Sequence, residues 1–256
     1  MARASVHHGK GGRSQPVQHV TTRTLSTAYE VLYSELLTRC AIASPDTELA
    51  PFWPKIGARY DGDLLLVGRA TNGWIDRWVP SDGIEPAEIA RVARQSGEGL
   101  VNGDQLGWVL DRWQPGDGGY STATSQFWQT TSHLMAALRP DEINWPSLIA
   151  WTNLTKVAPW TGGNPDKELL GVQRGLGPQL LAREVAELEP RLVVAFTGQW
   201  WFEPFADELG LPFEWRTGLV VGVARETSRT WVVAVHPMTR SPRAVADAVL
   251  AAIRDR

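Results

Sequence analysis

The sequence predicts an α/β fold, a three-layer α/β/α sandwich around a mainly parallel central sheet of about four strands. Four short apolar runs lie at 63–68, 147–151, 191–196 and 231–235. Continuous apolar runs of this length are typical of strands that are buried on both faces of a sheet. Segments with helical periodicity lie between these runs, and strands that alternate with helices favour a parallel sheet.

Helical periodicity predicts five helices, at 26–43, 86–94, 126–138, 178–188 and from Ser241 onward. Their apolar residues recur at three- and four-residue spacing, which places them on one face of each helix. Ser241 and Pro242 fit the N-cap and the first turn of the last helix. The apolar run at 219–224 is followed by a polar turn and the last apolar run, so a hairpin is expected there.

The composition is that of a globular protein with enough apolar residues for a core. Of 256 residues, 43% are apolar and 21% are charged, and the net charge is -3. The chain is no polycation, so any contact with nucleic acid must come from a local patch. We expect residues 1–22 to be a disordered basic arm, and residues 23–256 to form a single domain with an insertion around 80–125.

Cys40 is the only cysteine, which excludes an internal disulfide and any zinc or iron–sulfur site held by cysteines. It lies in the apolar pattern of the first helix, so a buried thiol is expected. The histidines are scattered and no carboxylate pair has the spacing of metal ligands, so neither a metal nor another cofactor is expected. No segment resembles a membrane span or a signal peptide, which makes the cytoplasm the expected location.

Each of the four apolar runs ends abruptly in polar residues. The segments that follow them are RATNGW, TNLTK, TGQWW and HPMTRSP. Because ligands of parallel α/β sheets bind beyond the carboxyl ends of the strands, we expect these segments to meet at one site. The chain also has 13 tryptophans. Most of them are expected in the core, and some are expected to line a pocket where flat rings stack on flat ligands.

Three of these segments resemble the motifs of the uracil-DNA glycosylase superfamily, in the same order, between residue 63 and the end of the chain. GRATNG, which begins at Gly68, is similar to G-E-A-P-G, the first motif of one branch. TNLTKVAPWTGGNP is similar to the T-N-x-x-K-x-x-P motif of that branch, with Asn153 and Lys156 at matching positions, and it is the most specific match. HPMTRSP is similar to the H-P-S loop, with His236 and Pro237 at matching positions.

The resemblance implies a monomeric DNA glycosylase, which flips a base out of DNA, holds it in a pocket and hydrolyses its N-glycosidic bond to leave an abasic site. It implies that Asn153 reads the edge of a pyrimidine, because a side-chain amide donates and accepts at once. His236 would stabilise the departing base anion. The ring of Phe127 or Trp128 would stack on the flipped base.

The same resemblance implies a set of residues that contact the base or the DNA backbone. Backbone amides at the start of the last helix would face a phosphate, with hydroxyl groups and cations beside them. The expected contacts are Gly68, Arg69, Ala70, Thr71, Lys156, Thr239, Arg240, Ser241 and Arg243.

The chain departs from its relatives in cysteine content and in the first motif. The similar branch carries an iron–sulfur cluster on four cysteines, which a chain with one cysteine cannot hold. Arg69 stands where the relatives place a residue associated with positioning the attacking water. Ala70 occupies a motif position that is Asp or Asn in other branches. The candidates for activating the water are then Asn72, Asp76, Asp111 and Asp117. A dissociative cleavage through an oxocarbenium-like state needs less help from a base.

The segment between the first and second motifs is much longer than in the relatives and contains several tryptophans. This remodelled wall suggests a base other than plain uracil. A bulky or glycosylated pyrimidine of the kind that phages carry would make the chain an antiviral defence enzyme, whereas uracil would make it a base-excision repair enzyme. Two alternatives stay open: a catalytically silent homologue that binds DNA, and a nucleotide hydrolase on the same scaffold.

Overall fold

The computed structural model describes residues 24–73, 76–96, 103–113 and 120–255. The helices in these ranges are α1 (Thr27–Ala43), α2 (Pro86–Gln95), α3 (Trp108–Asp111), α4 (Gln126–Leu138), α5 (Lys167–Leu188), α6 (Gln199–Glu208) and α7 (Pro242–Arg254). The strands are β1 (Leu49–Pro51), β2 (Lys55–Ile56), β3 (Leu64–Gly68), β4 (Ile149–Asn153), β5 (Val157–Pro159), β6 (Leu192–Phe196), β7 (Glu214–Trp215), β8 (Val220–Arg225) and β9 (Thr230–Ala234).

Seven of these strands form one sheet in the order β2-β4-β3-β6-β9-β8-β7. The four central strands, β4, β3, β6 and β9, are mutually parallel and correspond to the four apolar runs of the sequence. The strands β2, β8 and β7 are antiparallel to their neighbours. The fold is therefore α/β with a mostly parallel sheet, as predicted, and β8 and β9 form the predicted hairpin.

The prediction of about four strands is corrected to seven, because three further strands extend the parallel core at its edges. The strands β2 and β7 have two residues each, which is too short for a periodic apolar pattern to mark them. The sequence predicts β8 only as the arm of a local hairpin, whereas its pairing with β9 continues the main sheet. The strands β1 and β5 form a separate two-stranded ribbon.

Helices cover both faces of the sheet. Successive residues of a strand point to opposite faces, and in β3 Leu65 and Val67 belong to one apolar cluster whereas Leu64 and Leu66 belong to another. The first cluster includes buried side chains of α1, α2, α5 and α6, and the second includes those of α4 and α7. This arrangement fits a three-layer α/β/α fold.

The helices α1 and α2 pack against each other on one face. Ile89 of α2 lies in the same apolar cluster as Cys40 of α1, and Arg94 pairs with Glu30 at an N–O distance of 3.1 Å. Cys40 is fully buried, as expected, and burial raises the pKa of its thiol to about 12. This cysteine is therefore part of the core.

The helix α5 begins earlier than predicted. The sequence pattern places its start at Pro178, where its helical period begins. The helix instead begins at Lys167, where the side chain of Asp166 accepts from the Leu169 N–H at 2.8 Å. Pro178 lies inside the helix. Several glycines precede Pro178, and their low helix propensity conceals the first turns from a sequence pattern.

Some sequence predictions fall outside the described residues. The basic arm at 1–22 and the candidate carboxylate of Asp117 are among them. The expected insertion is described only in part, through α2, α3 and the residues around them. In the described ranges, no helix combines the length and the apolarity needed to cross a membrane.

Candidate active site

The carboxyl ends of the parallel strands meet at a cleft, as the sequence predicts. Gly68 is the last residue of β3, Asn153 is the last residue of β4, and His236 follows β9 by two residues. All three line one cavity of about 1160 Å³. A smaller neighbouring cavity of about 360 Å³ is lined by Gly198 and Gln199, which follow β6, and it shares His236 with the first.

The first motif is held against the second by hydrogen bonds. The Leu154 N–H donates to Gly68 O at 2.9 Å, and the N–H and hydroxyl of Thr155 both donate to Arg69 O at 2.9 Å. A Cβ atom at position 68 would lie 2.2 Å from Asn153 Oδ1. Glycine therefore lets the two strand ends approach closely enough for Asn153 to occupy the floor of the cleft.

Asn153 is the most buried polar residue of the cleft, with 1% of its surface exposed. Its Nδ2 is buried and has no hydrogen-bond partner among the described residues. Its backbone oxygen accepts from Lys156 Nζ at 2.6 Å, which fixes the end of the strand. An unpaired buried N–H group costs about 1–3 kcal/mol, so a ligand atom that accepts from Nδ2 would recover that free energy.

Lys156 does not reach the cleft. Its side chain is 1% exposed, and Nζ lies 2.6 Å from Glu184 Oε1 and donates to Thr152 Oγ1 at 2.6 Å. The Tyr29 hydroxyl donates to the same glutamate oxygen at 2.7 Å. Burial lowers the pKa of Lys156, and the Glu184 carboxylate opposes that shift. The prediction that Lys156 contacts DNA is therefore wrong, because its ammonium is enclosed in the core and supports Asn153 from behind.

His236 has one ring nitrogen engaged and one available. Its Nδ1 accepts from the Met238 N–H at 3.3 Å, so the proton of the neutral ring is on Nε2. Burial, and secondly the positive charge of Arg69, lower the pKa of His236 to about 4. At neutral pH the ring is therefore uncharged, and Nε2–H is a hydrogen-bond donor at the cleft.

Arg69 is fixed between the two cavities and lines both. Its Nε donates to Thr197 O at 2.7 Å, and its guanidinium lies 5.6 Å from the centroid of the Trp201 ring. Burial lowers the pKa of Arg69. A guanidinium stays charged at physiological pH, so Arg69 attracts negative charge and cannot act as a base.

We expect the imidazole of His236 to titrate near pH 4, and its pKa to rise toward the ordinary value in Arg69→Gln. The substitution removes the nearby positive charge that disfavours the imidazolium, so the titration moves to higher pH. Nuclear magnetic resonance of the imidazole protons against pH measures both values. An unchanged His236 titration in Arg69→Gln would contradict the proposed influence of Arg69.

The remainder of the first motif also lines the cleft. Thr71 is 3% exposed, and its Oγ1 has no hydrogen-bond partner among the described residues. The Asn72 Oδ1 accepts from the Gly163 N–H at 3.0 Å, which joins the first motif to the turn of the second. Ala70 contributes no polar side-chain group. The hydroxyl of Thr71 and the amide of Asn72 are thus the polar side chains that this loop offers to a water molecule.

The structure does not bring Asp76 to the cleft. Trp78, two residues later, exchanges backbone hydrogen bonds of 2.7 and 2.8 Å with Leu49, and this pairing draws the chain away from the cleft toward β1. One Asp76 oxygen is buried without a partner in the described part of the chain. Asp111 does line the cleft, where it is exposed at the rim. Asp111 is therefore the better-placed candidate of these two carboxylates.

Aromatic rings form one wall of the cleft. Trp108, Phe127, Trp128 and Trp151 pack in edge-to-face or tilted pairs, with ring centroids 5.0 to 6.2 Å apart. Trp128 is almost fully buried, whereas Phe127 is partly exposed. Of the two rings predicted to stack on a base, Phe127 is therefore the more accessible to a ligand.

Sequence reasoning did not select several residues that line this cleft. They are Trp108, Arg112, Tyr120, Gln126, Trp151 and Trp160. Trp151 and Trp160 flank or belong to the second motif, so their position in the sequence was an available signal. The other four belong to the segment between the motifs, where no sequence period indicates which side chains turn toward the strand ends.

The third motif contributes unevenly to the two cavities. Thr239, which has a positive φ of 66°, and Arg240 line the smaller cavity. The Ser241 Oγ accepts from the Ala244 N–H at 3.3 Å and caps α7, as predicted. Ser241 and Arg243 are exposed at the start of α7 and do not line either cavity. Their side chains are therefore accessible from solvent at the start of α7.

In the part of the chain that the structure describes, no cluster of three or more His, Cys, Asp or Glu side chains is arranged to hold a metal ion. No protein-family model matches the chain. No curated protein matches it at a significant level. The chemistry of the cleft is therefore the basis for the function.

Proposed function

We propose that the chain is a DNA glycosylase, which hydrolyses the N-glycosidic bond of a flipped-out non-standard pyrimidine and leaves an abasic site. One observation carries the proposal: a neutral histidine and an unpaired buried amide share one aromatic-walled cleft. These residues, His236 and Asn153, are also those that the resemblance to the uracil-DNA glycosylase superfamily selects. We further propose that the enzyme acts as a monomer on DNA in the cytoplasm.

Recognition of the base depends on the floor and the wall of the cleft. Asn153 offers a donor and an acceptor that match the adjacent acceptor and donor of a pyrimidine edge. Phe127 supplies a ring that can stack on the base. Arg240 and the exposed Arg243 supply positive charge for the DNA backbone beside the cleft, which the net charge of the whole chain does not.

The chemical step breaks the bond between C1′ of the sugar and the base nitrogen. The electron pair of that bond moves to the base, and the sugar becomes oxocarbenium-like. His236 Nε2–H donates to the anionic base oxygen, and the nearby Arg69 adds positive charge. A water oxygen then bonds to C1′, and the proton that it loses passes to solvent. Thr71 and Asn72 would orient this water, with Asp111 at the rim as the candidate base.

The cleft has room for a base larger than uracil. Its volume of about 1160 Å³ exceeds the range of about 300–1,000 Å³ that is usual for small-molecule sites. The rings of Trp108, Tyr120 and Trp160 line it as well, and aromatic faces pack well against sugars. We therefore propose a bulky or glycosylated pyrimidine as the substrate base and an antiviral defence role, with uracil and DNA repair as the alternative.

The test is an excision assay on duplex and single-stranded DNA. The substrates contain uracil, 5-hydroxymethylcytosine or glucosylated 5-hydroxymethylcytosine, and the readout is alkali-labile abasic sites. We expect release of the glucosylated base, and loss of release in Asn153→Ala and His236→Ala. Asn144→Ala and His133→Ala change the same residue types at exposed positions outside the cleft and should remain active. Release of uracil alone would support repair.

A second candidate is a catalytically silent DNA-binding protein. The observation that favours it is the first motif, where Arg69 and Ala70 supply no group that can accept a proton. This candidate predicts tight, salt-sensitive binding to modified or abasic DNA with no base release from any substrate. Turnover of free nucleotides without DNA preference would instead indicate a nucleotide hydrolase.

Gly68→Ala is expected to leave the protein folded and to lower the excision rate by about 10²-fold, because small displacements of a positioning group have effects of this size. The added Cβ would meet the Asn153 Oδ1, so the amide must move off the cleft floor. Single-turnover excision and urea unfolding measure the two effects. Gly171→Ala is the matched control, since no atom lies within 4 Å of its added Cβ. Unchanged excision in Gly68→Ala would show that the position of Asn153 is not critical.

A further inference from the structure

Three polar side chains that line the cleft have a buried atom with no hydrogen-bond partner among the described residues. These atoms are Asn153 Nδ2, Thr71 Oγ1 and Gln126 Oε1. Nearly all buried polar atoms in folded proteins are hydrogen-bonded. Three such atoms around one cavity are groups whose missing partners a bound polar ligand can supply.

Gln126 is the one of the three that neither a motif nor the proposed chemistry uses. It is the first residue of α4, and its backbone oxygen accepts from the Thr130 hydroxyl at 2.7 Å. The next residues, Phe127 and Trp128, belong to the aromatic wall. Gln126 thus approaches the cleft from a helix, whereas Asn153 approaches it from the end of a strand. A base held between them would be contacted from two independent elements.

The chemistry of the unpaired atom defines its partner. An amide oxygen only accepts, so the partner of Gln126 Oε1 is an N–H or O–H donor. The amide of Asn153 can engage the ring nitrogen and one carbonyl of a pyrimidine edge. In plain uracil this leaves no second donor, because the remaining nitrogen is bonded to the sugar. A 4-amino group, or a hydroxyl group on a 5-substituent, would supply one.

We propose that Gln126 determines specificity by accepting a hydrogen bond from an exocyclic N–H or O–H group of the flipped pyrimidine. Bases with such a donor are then preferred over plain uracil, because a site built to bind a donor group disfavours an analogue that lacks it. This inference rests on the proposed function and specifies its substrate class.

The experiment compares wild type, Gln126→Leu and Gln126→Glu on DNA that contains a single modified base. The bases are uracil, 5-methylcytosine, 5-hydroxymethyluracil and glucosylated 5-hydroxymethylcytosine, and the readouts are kcat/KM for excision and Kd from fluorescence anisotropy. We expect Gln126→Leu to lower kcat/KM by about tenfold or more on donor-bearing bases and to leave uracil unchanged. Gln126→Glu keeps an acceptor oxygen and should retain the preference.

The two donor types are separated by the substrates. 5-Methylcytosine has the amino group without the hydroxyl group, and 5-hydroxymethyluracil has the hydroxyl group without the amino group. If Gln126→Leu lowers kcat/KM on 5-methylcytosine and not on 5-hydroxymethyluracil, the amino group is the donor. The opposite result identifies the hydroxyl group. Gln179→Leu, at an exposed position of α5, is the control for loss of a glutamine side chain. Urea unfolding establishes that each variant is folded.

Equal changes on all bases, or no change on any, would overturn the role of Gln126. Loss of preference in Gln126→Glu would also overturn it, because the acceptor oxygen is still present. Failure of the proposed function gives a different result, in which wild type releases no base at all. In that event Kd tests Gln126 by itself: a preference for donor-bearing DNA that Gln126→Leu abolishes supports the inference, and equal binding contradicts it.

Discussion

His236→Ala is expected to lower kcat for base excision by about 10²–10³-fold, the usual effect of removing one preorganised donor to a developing oxyanion. The pKa of about 4 keeps His236 neutral, so its Nε2–H acts as a donor over the whole neutral range. The substitution removes that donor without touching the core, because the side chain is only partly buried at the cleft. Single-turnover excision with excess enzyme isolates this step from product release.

The pH profile supplies an independent check on the same residue. Protonation would place a hydrogen on Nδ1, against the Met238 N–H that this nitrogen accepts, and would disturb the ring. Because kcat/KM reports the pKa values of the free enzyme, kcat/KM should be level near neutral pH and should fall as the pH drops through about 4. His133→Ala should match wild type at every pH. A His236→Ala variant that retained full kcat would exclude His236 from the reaction, whatever the substrate.

Lys156→Met is expected to reduce the free energy of unfolding by about 3–5 kcal/mol, because it leaves a buried carboxylate without its cation. Lys156 and Glu184 are 1% and 0% exposed, so solvent cannot replace the lost partner. The substitution also removes the donor to the Asn153 backbone oxygen. Urea unfolding followed by tryptophan fluorescence at pH 7 measures the loss.

The double variant Lys156→Met/Glu184→Leu separates the charge effect from the loss of packing. Apolar replacement of a complete buried ion pair is often tolerated, so most of the stability should return. Excision should be impaired in both variants, since neither has the ammonium that donates to the Asn153 backbone oxygen. Lys167→Met, which changes an exposed lysine at the start of α5, should be close to neutral. A double variant as unstable as the single one would indicate that packing, and not the unpaired charge, dominates.

The parts of the fold that the sequence predicted are those that depend on local pattern. The four central strands each contain an apolar run, Asn153 is the last residue of β4, and His236 follows β9 by two residues. Because the ends of parallel strands must meet, their proximity follows from the order of the segments. The short edge strands lack such a pattern, and the sequence did not predict that they extend the sheet.

The errors arose where distant contacts decide the direction of a side chain. Lys156 follows the end of β4 by three residues, but Glu184 of α5 encloses its ammonium, and Tyr29 of α1 donates to the same carboxylate. Asp76 follows the first motif closely, but the backbone pairing of Trp78 with Leu49 carries it away. Gln126 looked like an ordinary helix residue, because only the assembled cleft reveals that its oxygen lacks a partner.

The floor and the wall of the cleft come from different parts of the chain, and this separation affects how such a protein can change over time. The floor is built from the ends of β3 and β4. Gly68 lets these ends approach closely, and the ion pair of Lys156 and Glu184 supports Asn153 from behind. Much of the wall comes from α3, α4 and described residues between them such as Arg112 and Tyr120, which take no part in those contacts. Mutations in the wall can therefore alter which molecule is accepted while the reacting groups stay in place. Under the proposed function, changes of sequence would then shift the substrate range more readily than the chemistry.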